Sequence, residues 1–236
     1  MGGRQMGSRA TAVPRSQADR TATIARQLRV QPLHDLPEIA LYTAHPGSAL
    51  AGLATAAPYW AYVWAGGAAL ARHVLATPDL VQSKRVLDLG AGSGVVAIAA
   101  ALAGAAQVVA VERDPWGRAA VRLNAALNRV AVTVRRAVPA GAGVDVVLCG
   151  DVFYSPEVAA AVTPLLDRLR HGGARVVVGD PGRADLALNR LTLLARYPVR
   201  DVGDQDRRPA GVYDYDAARK HPAMPHSALA PGPHRG

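Results

Sequence analysis

Between residues 85 and 216 short apolar runs alternate with longer segments whose apolar positions recur every three or four residues. RVLDLG (85–90), QVVAVE, VTVRR, VDVVLCG (144–150) and ARVVVGD have the length and β-branched content of strands. SGVVAIAAALAG predicts a helix closed by Gly104, and DPWGRAAVRLNAALNRV a helix with Pro115 in its first turn. SPEVAAAVTPLLDRLRHGG predicts a helix capped by Ser155. DLALNRLTLLARY, residues 185–197, predicts one more helix, and PVRDV and AGVYDY a final pair of strands. Strands that are apolar throughout are buried on both faces. The pattern therefore predicts an α/β fold with a mostly parallel sheet and helices on both sides. Upstream, LPEIALYTAH and PYWAYVWAGGAALARHVL predict an N-terminal cap that ends in a helix packed on the sheet.

The ends differ from this middle. Residues 1–22 are rich in Arg, Ser and Ala with a single acid, and are expected to be a disordered extension. Residues 23–84 form the expected cap, 85–216 the core, and the Pro-rich stretch 217–236 a disordered tail. His221, His226 and His234 lie in that tail and are read as solvated, so no metal site is expected.

Half the residues are hydrophobic, which excludes a disordered chain. Cys149 stands alone, so no internal disulfide framework is available and a reducing compartment is expected. The longest apolar run, residues 95–111, falls short of the ~20 residues that span a bilayer, and reads as helix then strand. No apolar core follows the N-terminal arginines, so no secretory signal is expected. A cytoplasmic location is expected, with the mitochondrial matrix as the alternative if residues 1–22 are a transit peptide.

The net charge of +9 suggests nucleic acid until it is divided. Residues 1–30 carry six Arg against Asp19, and residues 167–236 carry twelve basic against eight acidic residues. Residues 31–166, the middle of the chain, are neutral. A nucleic-acid face should draw on folded-core residues, so the excess reads as solvated basic ends and no nucleic-acid partner is expected.

Candidate chemistry begins at DLGAGSG, where the first core strand ends with Asp88, Gly90, Gly92 and Gly94. Ligands of such sheets bind at the carboxyl ends of the strands. A dinucleotide fingerprint needs G-x-G-x-x-G, and its third position here is Val95. The observed G-x-G-x-G, with an acid before it and Glu112 ending the next strand, fits S-adenosylmethionine, which has no phosphate and needs a carboxylate for its ribose hydroxyls. Across the switch point, LCGDVFYSPE stops an apolar strand on Asp151, with Tyr154 three residues later. Methyl transfer needs a donor and acceptor aligned, and a lysine acceptor must shed a proton first. Asp151 can hold the arriving ammonium and Tyr154 can wall its channel. Trp64 is a candidate to flank the cofactor, while Tyr59, Trp60 and Tyr62 read as core packing of the cap. Cys149 reads as a buried filler.

PYWAYVWAGGAALARHVL, VLDLGAGSGVVAIAAA, LCGDVFY and VVVGDPGR, with LPEIALY upstream, together resemble the seven-β-strand protein-lysine methyltransferases that modify the β-subunit of electron transfer flavoprotein. The resemblance runs from about residue 32 to about residue 200. It implies a Rossmann-like, seven-stranded class I methyltransferase fold with an N-terminal helical cap, using S-adenosyl-L-methionine. It implies that Asp151 and Tyr154 are a D-x-x-Y motif at a lysine channel. The cofactor loop is then Asp88 to Gly94, including Ala91, with Glu112 on the ribose, Trp64 beside the cofactor and Gly150 lining the pocket. The implied partner is a protein substrate, electron transfer flavoprotein β-subunit, met by a monomer with no membrane association. Departures from the family pattern are Ala68 where members carry Gln, Ser155 where they carry an acid, a short loop at 136–144, and VYDY where a Val-Trp pair is usual. The alternatives are a small-molecule or nucleic-acid methyltransferase, or a cofactor-binding module without turnover. DVFY lacks both prolines of the motif that holds a base amino group.

Overall fold

The computed structural model describes residues 16–50, 57–141 and 143–216. Five helices and nine strands are defined among them. Helix α1 (Gln17–Gln27) leads into a hairpin of β1 (Arg29–Leu33) and β2 (Leu36–Thr43). Helix α2 (Ala65–Ala76) precedes the alternating core. That core runs β3 (Arg85–Leu89), α3 (Val95–Leu102), β4 (Gln107–Val111), α4 (Pro115–Leu127) and β5 (Thr133–Arg135). It continues with β6 (Val146–Gly150), α5 (Pro156–His171), β7 (Arg175–Asp180), β8 (Leu191–Val199) and β9 (Arg208–Tyr215).

The seven core strands form one sheet in the order β5-β4-β3-β6-β7-β9-β8. The first five pair in parallel, and β9 and β8 close the edge antiparallel. The chain winds outward from β3 to β5, then returns to lay β6 beside β3. That return makes the β3/β6 border the switch point, beside which open α/β sheets bind their ligands.

The sheet is apolar on both faces because each face has its own cover. Val86, Val108, Val146, Leu148 and Val177 point to one side with α2 and α3. Leu87, Val147, Cys149, Val176 and Val178 point to the other, with Leu166 of α5. This alternation within a continuous apolar run is what a doubly covered strand requires. A third cluster joins Ile24 of α1 and Trp60 to Trp116 of α4, with the two indoles stacked at 5.8 Å between centroids.

Three expectations need correction. Residues 17–22 belong to helix α1, which Ser16 starts with a capping box to Asp19. Residues 1–15 and 217–236 lie outside the described residues. The N-terminal cap is not purely helical, since LPEIALYT is strand β2. The helix expected over 185–197 is a single 3-10 turn at Leu188–Arg190 followed by strand β8. Its pairing with β9 shifts register between Leu193 and Ala195. That extra residue breaks the two-residue alternation and imitates helical spacing in the sequence.

Candidate active site

Strand β3 ends at Leu89, and the chain turns over Gly90, Gly92 and Gly94 with φ of 77°, 52° and 86°. A Cβ would strain all three positions, which is why the turn is glycine. The loop's amides are consumed internally. Gly90 and Ala91 donate to the Val111 carbonyl, Gly94 to the Ala91 carbonyl, and Gly92 to Glu112 Oε2 at 2.9 Å. Glu112 Oε1 accepts the Asp114 N–H at 2.8 Å. Gly117 leaves room for this carboxylate, since a Cβ there would lie 2.7 Å from Glu112 Cγ.

Asp88 is 1% exposed beneath the loop. It accepts the Ala97 N–H at 3.0 Å and so braces the start of α3. Burial pushes its carboxyl up to about 7, against the opposing pull of that N–H. Ala91 is buried in the first core cluster. Asp88 thus supports the loop from behind, and the Ala91 side chain turns into the core.

The other wall comes from β6. Asp88 and Leu148 are register partners across β3 and β6, so the glycine loop and the D-V-F-Y segment leave the sheet side by side. A Cβ on Gly90 would lie 3.2 Å from Val152 Cγ1. Phe153 is fully buried and Tyr154 is 50% exposed. Gly150 does not line an open pocket on its Cα side. A Cβ there would lie 2.7 Å from Gly67 Cα, so its missing side chain lets α2 pack on the strand end.

Asp151 is 9% exposed and has φ of 54°, a left-handed conformation that Asp tolerates better than most residues. Its Oδ2 accepts the Gly67 N–H at 2.7 Å. Its Oδ1 accepts Arg183 Nη2 at 2.7 Å and Nε at 3.2 Å. Burial raises its carboxyl to about 6, with Arg183 and the Gly67 N–H pulling the other way.

Sequence reasoning missed four contributors. Arg183 bridges Asp151 and Asp201 and lies 5.7 Å over the Trp64 ring. Asp180 is fully buried and accepts the Gly182 and Arg183 N–H groups at 2.7 Å each. Tyr59 is not core packing: it is 49% exposed, 5.6 Å from the Tyr154 ring and 5.5 Å from the Trp64 ring. The GDPGR turn carried a signal for Asp180, because Asp before Pro-Gly caps its own turn. Nothing local marked Asp201 or Tyr59. Trp60 is buried as expected, and Tyr62 packs beside it.

A cavity of about 450 Å³ lies at the opposite, amino-terminal ends of the strands. Asp145 of its lining pairs with Arg85 and Arg175 with Asp214, while Lys84 donates to the Asp79 and Leu80 carbonyls.

A family model described as Ribosomal protein L11 methyltransferase (PrmA) matches residues 73–155, which include the glycine loop and the D-x-x-Y segment. The electron transfer flavoprotein beta subunit lysine methyltransferase of Rattus norvegicus is 35% identical over 170 residues, covering 67% of this chain and 67% of the rat protein. The chain belongs to the electron transfer flavoprotein beta subunit lysine methyltransferase family. The Xenopus laevis protein of the same name is 40% identical over 153 residues, and the match spans 62% of its length and 61% of this chain. Among solved structures, ribosomal protein L11 methylase from Lactobacillus delbrueckii subsp. bulgaricus aligns with a TM-score of 0.46 at 24% identity, covering 64% of this chain and 77% of that one. As a member of this methyltransferase family, the chain carries its β5-β4-β3-β6-β7-β9-β8 sheet as the class I methyltransferase architecture.

The family's cofactor, S-adenosylmethionine, fits the donor set at the loop. The amides of Gly90, Ala91, Gly92 and Gly94 are all used inside the protein, so they offer no nest for a pyrophosphate. The side chains at the switch point are acceptors and aromatic walls: Glu112, Asp151, Trp64 and Tyr154. Such a lining suits hydroxyls, amines and a cationic sulfur better than a phosphate.

Proposed function

We propose that this protein transfers methyl groups from S-adenosylmethionine to a lysine side chain of a protein, and that its substrate is the electron transfer flavoprotein β-subunit named for its relatives. One observation carries the acceptor side of this reading: a buried carboxyl group, Asp151, leaves the sheet at the switch point directly beside the glycine loop. Bound S-adenosylmethionine supplies a methyl on a cationic sulfur, which leaves as a neutral thioether when the amine's lone pair takes the carbon.

The chain's own residues do the rest. Glu112 holds the ribose hydroxyls, and the tight turn over Gly90–Gly94 brings the main chain close to the ligand. Asp151 attracts the substrate ammonium, orients it, and helps its proton pass to water before transfer. Tyr154, with Tyr59 and Trp64, forms an aromatic rim that excludes water from the channel and faces the alkyl stem of a lysine. Because the chemistry is a displacement, most of its acceleration comes from alignment.

The test is labelled methyl transfer to purified flavoprotein, paired with calorimetric titration of S-adenosylmethionine. Asp151→Asn keeps a side chain suited to the left-handed backbone and so preserves the turn. It is expected to bind the cofactor within about threefold of wild type and to lose about 10²-fold or more in transfer. Wild-type transfer by Asp151→Asn would remove the reading.

A further inference from the structure

The charged groups around Asp151 do not balance. Three acids, Asp151, Asp180 and Asp201, lie around Arg183: Asp151 and Asp201 meet its guanidinium, and Asp180 holds its backbone N–H. Asp180 is 0% exposed, and its Oδ2 has no hydrogen-bond partner among the described residues. Among those residues, these acids form no group able to hold a metal ion. Arg183 itself is held on every side. Its guanidinium meets Asp151 Oδ1 through Nη2 and Nε, at 2.7 and 3.2 Å, and Asp201 Oδ2 at 3.5 Å. Its face lies over Trp64, and its backbone N–H is fixed by Asp180 Oδ1. Asp201 is anchored in turn, since its Oδ1 accepts the N–H of Ala65, the first residue of α2.

A buried ion pair of this kind is a poor source of stability, because desolvation offsets most of the attraction. Here it also sits on a residue with left-handed backbone. Strain and buried charge held together at a strand end point to a positioning task. A carboxylate offers about four lone-pair sites: Arg183 takes both on Oδ1 of Asp151 and the Gly67 N–H takes one on Oδ2, which leaves a site on Oδ2 for a further donor. Carboxyl groups outnumber cations here among the described residues, a setting that suits an arriving ammonium.

We propose that Arg183 is a positioning residue for the methyl-accepting amine: it keeps Asp151 ionised and aimed, while Asp180 fixes its backbone and Asp201 competes for its guanidinium. This rests on the reading of Asp151 as an acceptor-site residue. Burial alone disfavours the carboxylate, and the guanidinium is the main group opposing it. Arg183 couples the end of β7, through Asp180, and the segment after β8, through Asp201, to the site at the end of β6.

The experiment is the pH dependence of kcat/KM for methyl transfer, with cofactor affinity measured in parallel. Productive encounter needs Asp151 deprotonated and a substrate lysine, ordinarily near 10.4, that has lost its proton. The log profile should therefore rise with slope two at acid pH and slope one above the Asp151 break. In Arg183→Met that break is expected to move up by about one pH unit or more, which is about threefold in rate near pH 6.5 and about tenfold below about pH 5. Activity should recover to within about threefold of wild type at pH 9.5, with cofactor affinity unchanged. Arg183→Lys should shift the break by less, since an ammonium lacks the paired Nε and Nη2 donors. Asp201→Asn, which removes a competitor for Arg183, should move it down. If Arg183→Met does not fold, the opposite shifts of Arg183→Lys and Asp201→Asn decide the matter. A uniform loss at all pH values with the break unmoved would overturn the proposal. Full transfer by Asp151→Asn would instead overturn the underlying reading, so the two failures are told apart.

Discussion

At the scale of single residues, Gly67 and Gly150 show how the site depends on atoms that are absent. The Gly67 N–H donates to Asp151 while the Gly67 Cα fills the space where a Gly150 side chain would stand. Gly150→Ala must push α2 away from the strand end or distort β6. The expected cost is about 1–3 kcal/mol in urea melts, with a fall in methyl transfer larger than that in cofactor affinity. A stability change below about 0.5 kcal/mol would contradict the close approach. Residue types at this scale were largely legible. Asp151, Tyr154, Glu112 and the glycines announced themselves by spacing from strand ends. Asp201 and Tyr59 did not, because their neighbours in space are far away in the chain.

At the scale of elements, α4 ties the N-terminal hairpin to the glycine loop. Asn124, fully buried, accepts the Tyr42 N–H of β2 at 2.9 Å and donates to the Ser93 carbonyl inside the loop at 2.8 Å. Asn128 adds two bonds to Ala40 on the same strand. These are pairings a strand ordinarily makes with another strand, supplied here by amide side chains. Asn124→Ala would leave a buried donor and a buried acceptor unmet. A loss of about 2–3 kcal/mol is expected, together with weaker S-adenosylmethionine binding as the loop loosens. Urea melts and calorimetry check both, and unchanged affinity would show that the loop holds itself. Elements with an unbroken rhythm, such as β3, α4, β6 and β7, could be placed from sequence. Strand β8 could not, because its register shift adds a residue that local pattern cannot distinguish from a helical turn.

At the scale of the whole molecule, several buried carboxylates set the response to pH. Burial raises Asp88 to about 7 and Asp151 to about 6, and also raises Asp180. An acid whose folded value lies above its unfolded value near 3.9 favours the fold while it is protonated. That contribution is complete below about pH 4 and is lost as pH rises through the folded value. Several groups act in the other direction, His73 and Asp145 among them. Burial lowers His73, so its contribution fades as pH falls through the histidine range. The Arg85 hydrogen bond holds Asp145 down to about 2, so its contribution fades only in strong acid. For the carboxylate part, Asp88→Asn isolates the largest cause. The Tm of wild type is expected to drop by several degrees more between pH 5 and pH 8 than the Tm of Asp88→Asn. Parallel Tm curves would mean that Asp88 does not titrate in that window.

Sequence by itself determined the alternating α/β plan, the switch-point loop and the acids at two strand ends, because these follow from local periodicity, glycine spacing and strand termination. Only the tertiary structure decided that Gly150 serves helix packing, that Asp88 lies behind the loop and the Ala91 side chain turns into the core, and that Asp151 shares Arg183 with Asp201. Those outcomes depend on which distant segments the closed sheet brings within a few ångströms. Contact between residues 32 or 136 positions apart leaves no mark on local pattern.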